Sequence, residues 1–140
     1  MDLKHLGLKT RLSLLVAGRR ARRTFDAAVR DLDAGPLPDA VAARTRAPRA
    51  GAGPTLALRV FHRALVAVAD ERAPANPCLP RSLALYAEAR RRGLAVRLVV
   101  GVRLDAGEVA SHAWLTLYGA PFLEVPETGV RFRVIADLPS

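Results

Sequence analysis

The hydrophobic pattern of this chain changes its period at Gly93, and this change is what most restricts the possible folds. Before Gly93, apolar residues recur at helical spacing, and a basic run at 90–92 followed by glycine is typical of a helix end. After Gly93, segments rich in Val and Leu alternate as strands do and are separated by short turns. Helices followed by strands that are close in sequence predict an α+β fold with a small antiparallel sheet.

The individual elements follow from the same patterns. Helices are predicted at about 10–33, 56–70 and 81–92, and strands at 95–104, 109–119, 122–125 and 129–138, arranged as an antiparallel meander. Prolines and glycines crowd residues 34–54, which indicates a linker or a long surface excursion with one short helical turn at 39–44. We predict a basic N-terminal helix and connection over 1–54 and a core over 55–140, within one compact domain.

The charge of the chain is unevenly distributed. Residues 1–63 carry 13 Lys and Arg against 5 Asp and Glu, whereas residues 64–140 carry 9 against 8, within a net charge of +9. Such a basic half favours an anionic partner, for example an acidic protein or peptide. Only Phe25 interrupts the N-terminal bases, so no aromatic platform supports nucleic-acid binding. Because only two of the 22 bases are lysines, codon bias is the alternative explanation of the arginine excess.

Cysteine usage and hydropathy indicate the compartment. A single cysteine excludes an internal disulfide and suits a reducing environment, which favours the cytoplasm. The apolar patch at 12–17 is too short for a signal-peptide core or a membrane span. We therefore predict a soluble cytoplasmic protein that does not insert stably into a membrane.

The single cysteine, Cys78, lies in the stretch NPCLPRS at the start of a predicted helix. In one register Asn76 caps the helix and Pro77 is its first residue; in the other, Pro80 is first. The second register strains the backbone less, because Pro80 disfavours helical geometry at Leu79. Both place the sulfur near a helix N-terminus, where the dipole and unpaired N–H groups stabilise a thiolate.

A reactive thiol also needs a base and a group that orients the base. Of the three histidines, His5 lies in a segment predicted to be frayed, and His62 is interpreted as a surface or packing residue. His112 lies on a predicted strand, and Glu124 follows twelve residues later on the next strand. A hairpin can place Glu124 beside His112, so we predict a Cys78–His112–Glu124 triad. The alternative is a buried cysteine and a structural histidine.

Other chemistries lack the residues they need. One cysteine and three scattered histidines show no metal-ligand spacing, and no phosphate-binding glycine loop or GxSxG motif occurs. No pair of carboxylates indicates a glycosidase. Neither a metal nor another cofactor is predicted.

The segments CLPRSLALYAEARRRGLAVRLVVGVRL, SHAWLTLYG and FLE resemble the transglutaminase-like leader peptidases of lasso-peptide biosynthesis. The resemblance covers roughly residues 55–140. It rests on a CL.RSLAL helix, a glycine after a basic helix end, a Gly-Val pair in a strand, and a HAW motif before a short turn. The matching residues are Cys78, Leu79, Arg81, Ser82, Leu83, Ala84, Leu85, Gly93, Gly101, Val102, His112, Ala113, Trp114 and Gly119.

This resemblance implies a transglutaminase-like or papain-like fold, in which the small sheet packs on the cysteine-bearing helix. It implies that Cys78 is the nucleophile and His112 the general base. The third member in such relatives is typically Asp, whereas Glu124 stands here. Glu127, three residues further, is the alternative acid.

The resemblance further implies a cysteine peptidase that removes the leader from a ribosomally synthesised lasso-peptide precursor through a thioester intermediate. Its implied partners are the precursor leader peptide, a separate leader-recognition protein and an ATP-dependent macrolactam cyclase. Two alternatives stay open. One is a transglutaminase-like amidase or acyltransferase with the same triad and another substrate, and the other is a catalytically silent adaptor that binds peptide through its basic face.

Overall fold

Helices precede the sheet, as the change of period predicts, in the computed structural model, which describes residues 7–140. The helices and strands of this part of the chain are α1 (Leu8–Ala34), α2 (Leu37–Arg44), α3 (Leu56–Arg72), α4 (Cys78–Arg91), β1 (Arg97–Asp105), β2 (Glu108–Leu117), β3 (Ala120–Phe122), α5 (Thr128–Arg131) and β4 (Arg133–Leu138). The predicted α+β class is confirmed.

Helix α4 lies at the centre of the fold. It packs against the helices α1, α2 and α3 and against the strands β1 and β2 of the sheet. A helix surrounded in this way must be apolar on nearly all faces, and most of its length is buried. The buried residues of α4 are Pro80, Ser82, Leu83, Ala84, Leu85, Tyr86, Glu88, Ala89 and Arg90.

Helix α1 is amphipathic, but only its second half is covered by the rest of the fold. Ala21, Phe25 and Ala28 recur at helical spacing and are fully buried. The first half leaves its apolar side chains exposed, with Leu12 at 53% and Leu15 at 61% of their accessible surface. Within residues 7–140, no helix is both long enough and apolar enough to cross a membrane.

A buried carboxylate ties α1 to the end of α4. The Glu88 side chain is 3% exposed and accepts hydrogen bonds from Arg20 of α1 at 2.8 Å, from Arg91 at 2.7 Å and from Arg92 at 2.9 Å. Burial alone would raise the pKa of Glu88, but the arginines, with Arg91 foremost, lower it. The carboxylate therefore stays ionised, as a buried charge must be when it is surrounded by cations.

The proline-rich connection is anchored on α4. The short helical turn predicted at 39–44 is the eight-residue α2, and after it the Thr45 hydroxyl lies 2.7 Å from the Tyr86 hydroxyl. Arg49 donates to the Arg92 carbonyl at 2.8 Å from its guanidinium and to the Gly93 carbonyl at 2.9 Å from its backbone. These contacts fasten residues 34–54 along the surface of α4.

The sheet has the order β3-β2-β1-β4, with all neighbours antiparallel. The first three strands form the predicted meander, but β4 crosses to the far edge and pairs with β1. Two strand predictions are wrong in their bounds. The strand at 122–125 is β3, which ends at Phe122 because Leu123 has a φ of +52° and turns the chain out of the sheet. The segment 129–138 begins instead with α5 and becomes strand only at Arg133.

Candidate active site

Helix α4 begins at Cys78, with Pro77 as its N-cap. The helix thus starts three residues before the predicted bound of 81, and the register that makes Pro80 the first helical residue is wrong. Pro80 is the third residue of the helix, a position where its missing N–H removes no intrahelical hydrogen bond. Cys78 is therefore in the first turn, half-buried, and its thiol donates to the Asn76 side-chain oxygen at 2.8 Å.

The start of α4 is held against the edge of β2. Strand β3 pairs with β2 only at Leu115–Leu117, which leaves the β2 edge uncovered at Ala113. There the Ser82 hydroxyl donates to the Ala113 carbonyl at 2.9 Å, and the Ala113 N–H is placed to donate to the Cys78 sulfur. Because β3 is short, a helix N-terminus occupies the place where a longer strand would pair.

His112 lies next to Ala113 on β2, opposite Gly101 of β1. Its ring stacks on Trp114, with centroids 5.8 Å apart, and contacts Phe132 at 5.4 Å. A Cβ added at Gly101 would meet the Trp114 ring at 2.8 Å and the Phe132 Cβ at 2.7 Å, so only glycine permits this aromatic packing. Gly101 of the Gly-Val pair thus makes room for the two rings that pack against the imidazole.

Glu124 orients the imidazole of His112. Its Oε2 lies 3.0 Å from Nε2 of His112, while its Oε1 accepts from the Val125 N–H at 3.2 Å and from the hydroxyl of the buried Thr128 at 3.3 Å. Glu124 follows β3 in a turn; its predicted place on a strand is wrong. The alternative acid, Glu127, is exposed, and its side chain makes no hydrogen bond within residues 7–140.

The electrostatics of the site favour a thiolate and an imidazolium. Burial opposes ionisation of Cys78, but hydrogen bonds from His112 and the Ala113 N–H lower the pKa of this thiol. The hydrogen bond with Cys78, aided by Glu124 and opposed by burial, raises the pKa of His112. Since Nε2 faces Glu124, Nδ1 is the nitrogen that exchanges a proton with the sulfur. The neutral thiol donates to Asn76, whereas the thiolate accepts from His112.

Two residues to which the sequence analysis gives no part in the site, His62 and Arg81, lie beside the predicted triad. His62 of α3 is half-buried and, with Arg81, lines a cavity of about 30 Å³ that also contacts Glu124. Burial, then the charge of Arg81, lowers the pKa of His62, so this imidazole is neutral near pH 7. In the sequence, the one signal that points to Arg81 is its place in the CL.RSL motif, three residues after the cysteine.

Two possibilities remain from the sequence analysis, a role for His5 and a metal site. His5 lies outside the described residues. Within residues 7–140, no group of three or more His, Cys, Asp or Glu side chains is placed to hold a metal ion. The arrangement of Cys78, His112 and Glu124 can perform the chemistry of an activated thiol: nucleophilic attack by sulfur with proton transfer through the imidazole.

Replacing Glu124 with glutamine tests which acid orients the imidazole. Glu124→Gln keeps the shape but removes the negative charge that helps to hold the His112 proton, so the titration midpoint of His112 should move to lower pH. NMR of the imidazole C–H signals across pH measures this directly. Glu127→Gln is the matched control and should leave the midpoint in place; equal shifts in the two variants would contradict the assignment.

Comparison with known proteins gives one match. The family described as the Transglutaminase-like superfamily matches residues 11–137. The matched region runs from α1 to β4 and so includes the cysteine, the histidine and the carboxylate described above. No curated protein and no solved structure matches the chain significantly.

Proposed function

The chain belongs to the transglutaminase-like superfamily, and we propose that it is a cysteine peptidase that removes the leader from a ribosomally synthesised lasso-peptide precursor. The observation that carries the proposal is the hydrogen bond of 3.0 Å between His112 and Glu124, beside a half-buried Cys78 at a helix start. A thiol, an imidazole and a carboxylate in this order are what acyl transfer by a cysteine nucleophile requires. The superfamily includes enzymes of this type.

The proposal that this peptidase removes a leader, and does not act on another substrate, rests on the sequence motifs. CL.RSLAL with HAW at this spacing is the pattern by which the chain resembles lasso-peptide leader peptidases. The structure gives several of these positions a physical reason. Ser82 fastens α4 to the β2 backbone, and Gly101 makes room for the ring of Trp114.

In the proposed mechanism, Cys78 loses its proton to Nδ1 of His112 and its sulfur attacks the scissile carbonyl. The carbonyl π electrons move to oxygen, and the Cys78 N–H, which as a first-turn amide has no intrahelical partner, would donate to that oxyanion. When the C–N bond breaks, His112 gives its proton to the leaving amine and a thioester remains. Water, deprotonated by His112, then hydrolyses the thioester, which releases the carboxylate product and the thiol.

The proposed partners follow from the same resemblance. A separate leader-recognition protein would deliver the precursor leader peptide, and an ATP-dependent macrolactam cyclase would use the released core peptide. The reaction would take place in the cytoplasm, where the lone thiol stays reduced. The charge supports an anionic partner, since residues 1–63 carry 13 bases against 5 acids.

Incubation with a lasso-peptide precursor tests the function. The purified chain is mixed with candidate precursor, with and without a candidate leader-recognition protein, and the products are analysed by mass spectrometry. We expect a single cut between leader and core, fastest with the recognition protein present. Transfer of the acyl group to added methylamine without hydrolysis would instead support an acyltransferase. Binding of precursor without either reaction would support the adaptor alternative.

A further inference from the structure

Arg81 occupies a position that ordinary helix energetics disfavour. It completes the first turn of α4, where the helix dipole repels cations and where no acidic side chain compensates. It is also partly buried, so part of the hydration of its guanidinium is lost. A charged side chain at such a position needs a reason other than the stability of the helix, and residues that break local rules in this way tend to lie at functional sites.

The part of the chain that the structure describes offers Arg81 no fixed partner. Its guanidinium makes no hydrogen bond and no ion pair within residues 7–140, and only its backbone N–H is bonded, to the Pro77 carbonyl at 3.2 Å. The other arginines of that range that are buried or half-buried all make at least one: Arg20, Arg44, Arg90, Arg92, Arg97 and Arg103. Arg81 thus differs from these arginines in two ways: its side chain has no partner, and it lies in the first turn of a helix.

The charged and titratable groups near Arg81 leave one function open for it. Glu124 borders the same small cavity, but its carboxylate is taken by His112, Val125 and Thr128. His62 of α3 also borders the cavity and is neutral, so it neither adds to nor competes with the cation there. The thiol of Cys78, which becomes an anion when it ionises, lies three residues earlier on the same face of α4.

We propose that Arg81 stabilises the thiolate of Cys78, offsetting the negative charge left on sulfur when its proton moves to Nδ1 of His112. Arg81 acts through the sulfur and does not exchange protons itself. The role deepens the proposed peptidase function, but it concerns thiol ionisation in the isolated chain. Its test therefore requires neither precursor nor partner, and it can fail while the peptidase proposal stands, or the reverse.

The experiment uses the fact that Cys78 is the only thiol in the chain. Iodoacetamide, which is uncharged, alkylates the thiolate and releases iodide, so the rate against pH follows ionisation of Cys78 without an electrostatic effect on the reagent. In Arg81→Gln we expect the midpoint to move to higher pH and the rate at pH 6 to fall about three- to tenfold. At high pH, where the thiol is fully ionised in every variant, the rates should converge.

Two further variants separate charge from structure. Arg81→Lys keeps the charge and should retain most of the wild-type profile. Arg63→Gln removes an exposed cation from the neighbouring helix α3 and should leave the profile unchanged. The proposal is overturned if Arg81→Gln reproduces the wild-type curve. It is also overturned if Arg81→Lys is as defective as Arg81→Gln, or if the loss in Arg81→Gln persists at high pH, because a structural role would then suffice.

Discussion

Replacing Cys78 with alanine is expected to lower the rate of leader cleavage by about 10⁴-fold or more, to the level of the uncatalysed reaction aided only by binding. The mechanism has no substitute for the sulfur, since the described chain holds no second cysteine and Ser82 donates its hydroxyl to the Ala113 carbonyl. The side chain is half-buried, so the alanine variant should lose only about 1 kcal/mol of stability.

Cleavage of precursor by the wild type and by Cys78→Ala, followed by mass spectrometry with the recognition protein present, measures this effect. Cys78→Ser is the matched variant, because it keeps the size of the side chain but raises the pKa of the nucleophile far above that of a thiol. Both should fold, as thermal melting and circular dichroism can verify. Cleavage by Cys78→Ala at the wild-type rate would rule out the thioester mechanism.

The second large effect is expected at His112. Removing the general base should lower kcat/KM for cleavage by about 10³- to 10⁴-fold. His112→Phe is the appropriate variant because a phenyl ring can keep the contacts with Trp114 and Phe132, whose centroids lie 5.8 Å and 5.4 Å from that of the imidazole. Alkylation of Cys78 in this variant should also require higher pH, since the hydrogen bond from His112 is the main contact that lowers the thiol pKa.

The pH dependence of cleavage follows from the same pair. The pKa of Cys78 is lowered and that of His112 is raised. Both shifts favour the thiolate–imidazolium pair, so kcat/KM should rise as Cys78 ionises and fall as His112 loses its proton. His62→Gln is the matched histidine control and should change kcat/KM by less than about tenfold. An equal loss in the two histidine variants would contradict the assignment of His112 as the base.

Much of the fold could be predicted from local patterns. The helical stripe of α3, with Leu58, Phe61, Leu65 and Val68 buried, is visible as a repeat of three and four residues. The two prolines around Cys78 indicate a helix start, but they do not decide its register. Proline is tolerated throughout the first turn, so the start at Cys78 depends on packing of α4 against Ala113 rather than on the prolines alone.

The acid of the site could not be predicted with certainty from spacing. Glu124 and Glu127 are three residues apart, and each is within reach of a strand histidine in an extended hairpin. The choice between them depends on Leu123, whose left-handed backbone ends β3 and turns the next residue toward His112. A non-glycine residue adopts such a conformation only where surrounding contacts compensate its strain, and local propensity does not predict this.

Local chemistry is enough to indicate helices before strands, a thiol at a helix start and a histidine on a strand, because periodicity and helix-end effects act over a few residues. Tertiary structure alone decides that Glu124 holds the imidazole, that β4 pairs with β1 at the far edge, and that the Arg81 side chain has no fixed partner in the described chain. These features depend on which groups from distant segments come within about 3 Å to 4 Å of one another, the range over which hydrogen bonds and ion pairs act. Sequence spacing does not determine such distances.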